Sequence, residues 1–217
     1  MTVLKQLFLA LIGLAWTLPA DAARPVSQSE LRRAGPGDIL RIKPLPGGAP
    51  NGVRAYQIFY RSTGLRDEPI LVSGALFYAD GDEPRRRPVV AWAHPTTGVT
   101  RNCSPTRQTD VYNRIPGMDR MMAEGFIVVA TDYAGFASMP PHPYLVGASQ
   151  ARAVLDSVRA VRQLRNARAS DRFIVWGHSQ GGHAALFTGE LQQVHAPELE
   201  LAGVVAAAPA TRLADLF

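Results

Sequence analysis

The sequence is poor in cysteine: Cys103 is the only one among its 217 residues. A single cysteine is a free thiol, a thiol buried in the core, or half of a bridge whose partner is missing. Cys103 is also a poor candidate nucleophile, because the Pro- and Arg-containing segment 101–105 around it offers no obvious base.

Charged and aromatic residues are scarce as well, at 19% and 8% of the chain. With a hydrophobic fraction of 47%, this composition excludes a disordered chain, a collagen and a coiled coil. It suffices for one sizeable core in a single domain. The formal net charge is +5, but the arginines are scattered and no aromatic side chains interleave with them. We therefore expect no nucleic-acid partner.

Long apolar runs are absent except at the N-terminus, where one occupies residues 7–16. Lys5 precedes this run and an Ala-x-Ala sequence, Ala20–Ala22, follows it, which is the pattern of a secretory signal. The run is too short to span a bilayer comfortably, since a span needs about 20 residues. We predict a cleavable signal peptide over residues 1–22 and a secreted or periplasmic, soluble mature protein.

The rest of the chain divides into two parts. Residues 23–52 are rich in Pro and Gly and predict an irregular lead-in with a short helix near 29–33. Residues 53–217 predict the N-terminal part of an α/β domain. Its first two strands are rich in β-branched and aromatic residues and indicate an antiparallel edge. Its later strands are continuous apolar runs, typical of strands buried on both faces. The predicted strands are 54–61, 70–78, 89–93, 126–130, 173–176 and 201–208.

Helical patterns separate the later strands, at 118–124, 149–165 and 180–193. Strands that alternate with helices predict a mostly parallel, doubly wound α/β sheet with right-handed crossovers.

A candidate nucleophile follows the predicted strand 173–176 directly. The segment Gly177–Gly181 (GHSQG) precedes a helical pattern, which is the context that a G-x-S-x-G nucleophile turn requires. Ser179 must lie on a tight, strained turn that exposes its hydroxyl, and Gly177 and Gly181 leave room for the neighbouring strand and helix. We predict that Ser179 is the nucleophile of a serine ester hydrolase. His178, which faces away in such a turn, is expected to pack.

The loop after strand 89–93, His94–Gly98 (HPTTG), is a candidate oxyanion loop. Acyl transfer needs amide donors aimed at the developing oxyanion. One donor in this context is the residue after the nucleophile, Gln180. Because Pro95 has no N–H, the loop donor is Thr96 or Thr97, and Thr96 is our candidate.

The segment Thr131–Phe136 after the next strand is expected to shape the pocket wall. It contains Asp132, which precedes Ser179 in the chain. We keep Asp132 only as an alternative catalytic acid.

From about Arg54 onward the chain resembles the secretory lipase family of α/β-hydrolases, the fungal secreted lipases and their exported bacterial relatives. The segments around Ser179, His94–Gly98 and Asp132–Gly135 carry the resemblance, together with the export signal. Family members typically have His-Gly-Thr-Thr-Gly in the loop, so Pro95 departs from the pattern while the Thr96 amide remains.

The resemblance implies hydrolysis of carboxylesters or triacylglycerols through a Ser–Asp–His triad, without a metal or organic cofactor. The implied partner is an ester or lipid small molecule, with transient contact to a lipid interface.

The acid and base of that triad are difficult to place in this sequence. In this fold the order is Ser, then Asp or Glu, then His. After Ser179 only His183 and His195 follow, within or at the end of the nucleophile's own helix, and Asp215 has no later histidine to orient. We expect the acid and base beyond Phe217, in a chain truncated before its lid and last strands, where a partner for Cys103 could also lie.

Two other interpretations stay open. The missing base favours a non-catalytic exported binding module or a degenerate remnant. An acyltransferase or a peptidase is the near alternative, because fold does not determine chemistry.

Overall fold

The structure is a computed structural model that describes residues 24–81, 85–137 and 141–216. Seven strands of the described chain form one sheet. In chain order they are β1 (Ile39–Pro44), β2 (Val53–Thr63), β3 (Pro69–Ala79), β4 (Arg87–Ala93), β5 (Ile127–Thr131), β6 (Ala169–His178) and β7 (Glu200–Ala207). In space their order is β1-β2-β3-β5-β4-β6-β7. All six predicted strands are confirmed, and β1 is an additional one.

The helices are α1 (Gln28–Arg33), α2 (Met118–Ala123), α3 (Gly147–Arg162), α4 (Gln180–His195) and α5 (Leu213–Leu216). The short helix expected in the lead-in is α1, which begins with a reciprocal capping box between Ser27 and Glu30. The lead-in is therefore less irregular than predicted, because it also contributes β1. That strand lies at the sheet edge and ends in Pro44, where a missing N–H is tolerated.

The sheet is mixed. The pairings β1–β2, β2–β3 and β3–β5 are antiparallel, whereas β4–β5, β4–β6 and β6–β7 are parallel. The predicted antiparallel N-terminal edge is confirmed, and it is three strands wide instead of two. Within the parallel part, β4 and β5 are buried along almost their whole length, as their continuous apolar runs predict. The same expectation is wrong for β7, whose residues are exposed or half-buried because this strand lies at the edge of the sheet.

Two apolar clusters fill the space between the sheet and the helices. One cluster lies between the sheet and α3 and α4 and includes Val154, Val158 and Phe173. The other lies on the opposite face beside α2 and includes Trp92, Met118 and Val128. The covered faces make the sheet doubly wound, as predicted.

The strand register brings three loops to one edge of the sheet. Ala93 at the end of β4 pairs with Thr131 at the end of β5 and with Gly177 in β6. The carboxyl ends of these parallel strands therefore lie side by side. Ligands of open α/β sheets bind outside such an edge.

The described helices include none that is long and apolar enough to cross a membrane. The predicted signal peptide lies outside the described residues.

Candidate active site

Ser179 lies between the last residue of β6, His178, and the first residue of α4, Gln180. Its backbone angles are φ 55° and ψ −118°. A positive φ is uncommon for a residue with a Cβ and is held here by surrounding contacts. The Ser179 N–H donates to the Ala207 carbonyl oxygen at 2.9 Å, and the Ser179 carbonyl oxygen accepts from the His183 N–H at 3.0 Å. The serine is thus fixed on a tight turn between a parallel strand and the N-terminus of a helix.

The two glycines of the turn occupy places without room for a side chain. A Cβ on Gly177 would overlap the backbone of Gly181. A Cβ on Gly181 would overlap the carbonyl group of Ala93 and lie 2.8 Å from the His94 carbonyl oxygen. The turn therefore packs directly against the end of β4, where the candidate oxyanion loop begins.

The candidate oxyanion donors flank this contact. Gln180 is the first residue of α4, so its N–H has no acceptor within the helix. The loop at His94–Gly98 is held by two tyrosines. The Tyr133 hydroxyl donates to the His94 carbonyl oxygen at 3.0 Å, and the Tyr144 hydroxyl lies 3.0 Å from Thr96 Oγ1.

The Gln180 side chain is buried and meets a histidine that the sequence did not single out. Gln180 Nε2 lies 3.1 Å from His142 Nε2, and His142 Nδ1 lies 2.8 Å from the Ala134 carbonyl oxygen. Since that carbonyl can only accept, Nδ1 carries the proton and Nε2 accepts from Gln180. Burial lowers the pKa of the His142 imidazole, which favours this neutral form. No periodicity marks His142, because it contacts Gln180 only through the tertiary fold.

Asp132 is fully buried beneath the same edge. Its carboxylate accepts from the hydroxyls of Ser73 at 2.6 Å and Ser104 at 2.7 Å, from the Thr106 N–H at 3.0 Å, and from the Thr106 hydroxyl. No histidine ring is among these donors. Asp132 thus ties the segment at 104–106 to β3 and β5, and its geometry does not resemble that of a triad acid.

The histidines after Ser179 have other partners. His183 Nδ1 lies 2.8 Å from the Ala210 carbonyl oxygen. His195 Nε2 lies 3.0 Å from Asp156 Oδ1, but His195 ends α4. A helix of 16 residues is about 24 Å long, so this acid–histidine pair lies far from Ser179. His178 is exposed, and the expectation that it packs is wrong.

An apolar pocket of about 310 Å³ opens beside the loop. Trp92, Val111 and Ile115 contribute its apolar wall, and Thr96 lies at its lining. It borders the candidate oxyanion loop and is large enough for the apolar part of a small ester. Among the described residues no group of three or more His, Cys, Asp or Glu side chains could hold a metal ion.

Cys103 is a free thiol in the structure and is half-buried. Its Sγ lies 3.3 Å from Thr100 Oγ1. A Cβ on Gly98, whose φ is +117°, would overlap this Sγ, so the thiol packs against the end of the oxyanion loop.

Known proteins share this architecture. Lipase A of Moesziomyces aphidis is 22% identical over 204 residues, which cover 85% of this chain and 42% of that protein. A protein of Mycobacterium tuberculosis named as a probable inactive lipase is 26% identical over 216 residues, covering 92% of this chain and 48% of that one. The chain spans about half the length of the curated relatives it matches.

Among solved structures, the rice cell wall degrading esterase LipA of Xanthomonas oryzae matches with a TM-score of 0.63 and 28% identity. The match covers 77% of this chain and 49% of LipA. The fold is that of the α/β-hydrolases, as the sequence predicts. The model of the secretory lipase family matches residues 108–217, slightly more than half of the 217 residues. This chain therefore belongs to the secretory lipase family.

Proposed function

We propose that the whole protein is a secreted serine carboxylester hydrolase in which Ser179 attacks the ester carbonyl carbon. The attack would give an acyl-enzyme and release the alcohol, and water would then release the acid. The strained conformation of Ser179, φ 55° and ψ −118° between β6 and α4, is the observation that carries this proposal. Such a turn projects a nucleophilic hydroxyl above the sheet edge.

We assign the oxyanion donors to the backbone amides of Gln180 and Thr96. The N-terminus of the 16-residue helix α4 supports this assignment, because it favours negative charge near Ser179. The contact between Gly181 and the start of the loop at His94 also supports it, since it brings both donor segments together. Gly177 and Gly181 would serve by allowing that close approach.

We place the general base and the acid that orients it in sequence beyond Phe217. The arrangement of the described histidines supports this placement. His183 bonds to the carbonyl oxygen of Ala210, and His195 pairs with Asp156 at the C-terminal end of α4, far from Ser179. The greater length of the relatives is consistent with it.

The proposed substrate is an ester or lipid small molecule with an apolar group. The apolar pocket beside Thr96 supports this class. We propose export through the signal peptide at residues 1–22 and transient contact with a lipid interface. The proposed reaction uses no metal or organic cofactor, because a serine, its base and two amide donors are sufficient for acyl transfer.

A non-catalytic exported protein is the second candidate. Two observations favour it: a relative with 26% identity is named as a probable inactive lipase, and the two histidines that follow Ser179 in the described chain bond to Ala210 and to Asp156.

Hydrolysis of p-nitrophenyl esters by the whole protein distinguishes the two candidates. We expect turnover by the wild type, and a loss of at least about a thousandfold in kcat for Ser179→Ala. Ser170→Ala is the matched control, because Ser170 lies near the opposite end of β6. Undiminished turnover by Ser179→Ala would overturn the nucleophile assignment. A folded wild type without activity on short- and long-chain esters would favour the non-catalytic protein.

A further inference from the structure

We propose that the segment His142–Tyr144 is a positioning element for the oxyanion hole, because it contacts the side chains of both residues assigned as amide donors. The inference rests on the proposed function and adds residues to it that neither the sequence pattern nor the nucleophile turn identifies. One end of the segment bonds to Gln180 and the other end bonds to Thr96.

The contact with Gln180 is buried and directional. The Gln180 side chain is 1% exposed, and its Nε2 donates to His142 Nε2 at 3.1 Å. Its Oε1 has no hydrogen-bond partner in the described structure, so the bond to His142 is the polar contact that orients this amide group. A buried donor left without an acceptor costs about 1–3 kcal/mol. The Gln180 side chain, and with it the first residue of α4, is therefore held at one orientation.

The contact with Thr96 is exposed, and Thr96 is the second residue assigned as an amide donor. Thr96 Oγ1 and the Tyr144 hydroxyl lie 3.0 Å apart. The same loop is bonded on its other side, where the Tyr133 hydroxyl donates to the His94 carbonyl oxygen at 3.0 Å. Two tyrosines thus hold the loop from its first residue to Thr96.

The turn after β5 supports the positioning element. The Ala134 carbonyl oxygen accepts from His142 Nδ1 at 2.8 Å, and the Phe136 ring stacks on the His142 ring at 4.6 Å between centroids and 27° between planes. Between them, Gly135 has φ +91°, and a Cβ there would overlap the backbone of His142. His142 can approach this closely only because residue 135 is a glycine.

The positioning element would stabilise the transition state by holding the two amide donors where the oxyanion forms. An oxyanion donor must lie about 2.7–3.1 Å from the place where the oxyanion forms, and losing one costs about 10²–10³ in kcat. A displacement of about 1 Å costs about 10²-fold in rate. Loosening the positioning element should therefore lower kcat and leave KM nearly unchanged, whereas a contact to the bound substrate would change KM.

Three variants of the whole enzyme test the proposal in p-nitrophenyl ester hydrolysis. His142→Phe keeps the stacked ring but removes the acceptor for Gln180. His142→Gln restores an acceptor oxygen. Tyr144→Phe removes only the hydroxyl that meets Thr96, at a residue that is 37% exposed. Tyr78→Phe is the control, because Tyr78 lies at the other end of the strands from the candidate site. Its neighbour in β3, Phe77, pairs with Val128 near the start of β5.

We expect kcat to fall about 10- to 100-fold in His142→Phe and several-fold in Tyr144→Phe, with KM within about twofold of wild type. His142→Gln should recover most of the loss. In a Thr96→Val background Tyr144→Phe should have no further effect, because the pair is then already broken. Thermal unfolding of each variant, compared with Tyr78→Phe, separates these effects from loss of folded protein.

Unchanged kcat in both His142→Phe and Tyr144→Phe would overturn the positioning role. So would a rise in KM at constant kcat, or a loss of activity in Tyr144→Phe that only follows the loss of folded protein. If His142→Phe fails to fold, Tyr144→Phe and the Thr96→Val background decide the question. Ser179→Ala separates the two proposals: if it retains activity, the proposed function fails as well, whereas its inactivity confines the failure to the positioning role.

Discussion

The carbonyl oxygen of Ala93, at the end of β4, occupies the space that a Cβ on Gly181 would need. This contact joins the nucleophile turn to the strand from which the candidate oxyanion loop emerges. It is a backbone contact, so no side-chain rotation can relieve an added methyl group. The distance between the two donor segments therefore depends on a glycine at position 181.

Gly181→Ala tests this contact. We expect it to lower the free energy of unfolding by about 1–3 kcal/mol, as overpacking does, and to reduce ester hydrolysis by shifting α4 away from the loop. Gly203→Ala in β7 is the matched control, because the nearest atom to its Cβ is Ile174 Cγ2 at an ordinary 3.9 Å. Urea denaturation and p-nitrophenyl ester turnover measure both. Equal stability and turnover in the two variants would contradict the expected clash.

His195→Ala should leave kcat of the whole enzyme within about twofold of wild type, since His195 lies about 24 Å from Ser179 along α4. We expect it to lower the free energy of unfolding by about 1–2 kcal/mol, because Asp156 loses one hydrogen-bond partner while Arg159 and Ser62 remain. Chemical denaturation and steady-state kinetics provide the measurements. A thousandfold loss of kcat would instead identify His195 as the base.

Asp132→Asn should destabilise the protein by about 1–3 kcal/mol, because one of the two acceptor oxygens that serve Ser73, Ser104 and Thr106 becomes a donor. Asp171→Asn, at an exposed carboxylate, is the control and should be nearly neutral. Urea denaturation compares the two. If Asp132→Asn leaves the stability unchanged and lowers kcat by about 10⁴, Asp132 is the catalytic acid after all.

Stability should fall as the pH is lowered through the histidine range. Burial lowers the pKa of the His94 and His142 imidazoles, and at His94 the hydrogen bond with the Pro95 carbonyl oxygen and the nearby Asp132 carboxylate oppose the shift. Unfolded histidines titrate near pH 6.5. Below about pH 7 the unfolded chain therefore binds more protons than the folded one, and the free energy of unfolding decreases toward the folded-state pKa values.

The measurement is urea denaturation between about pH 8 and pH 5 for wild type and His142→Phe. The variant lacks one of the two imidazoles whose pKa is lowered by burial, so its stability should decline less steeply. At the alkaline end both histidines are neutral in either state, and the two profiles should run parallel. Identical slopes throughout would show that His142 does not contribute to the pH dependence.

The positions of six strands and the turn around Ser179 can be predicted from the amino-acid sequence alone. Continuous apolar runs predict strands, and all six predicted strands lie in the sheet, although β7 is not buried on both faces. The GHSQG segment predicts a tight turn. Such a turn between a strand and a helix has no room for side chains at Gly177 and Gly181, so the glycines can be recognised in the local sequence. β1 was not predicted, since a short edge strand amid Pro and Gly has no continuous apolar pattern.

The fold class and the place of Ser179 follow from residue type and local order, which the amino-acid sequence contains. The contacts around the nucleophile turn follow only from the tertiary fold. His142 lies 38 residues from Gln180 along the chain and Tyr144 lies 48 from Thr96. These contacts exist because β5, β4 and β6 are adjacent and parallel, with their carboxyl ends on one edge. Strand order in space is a property of global packing, and no local periodicity encodes it.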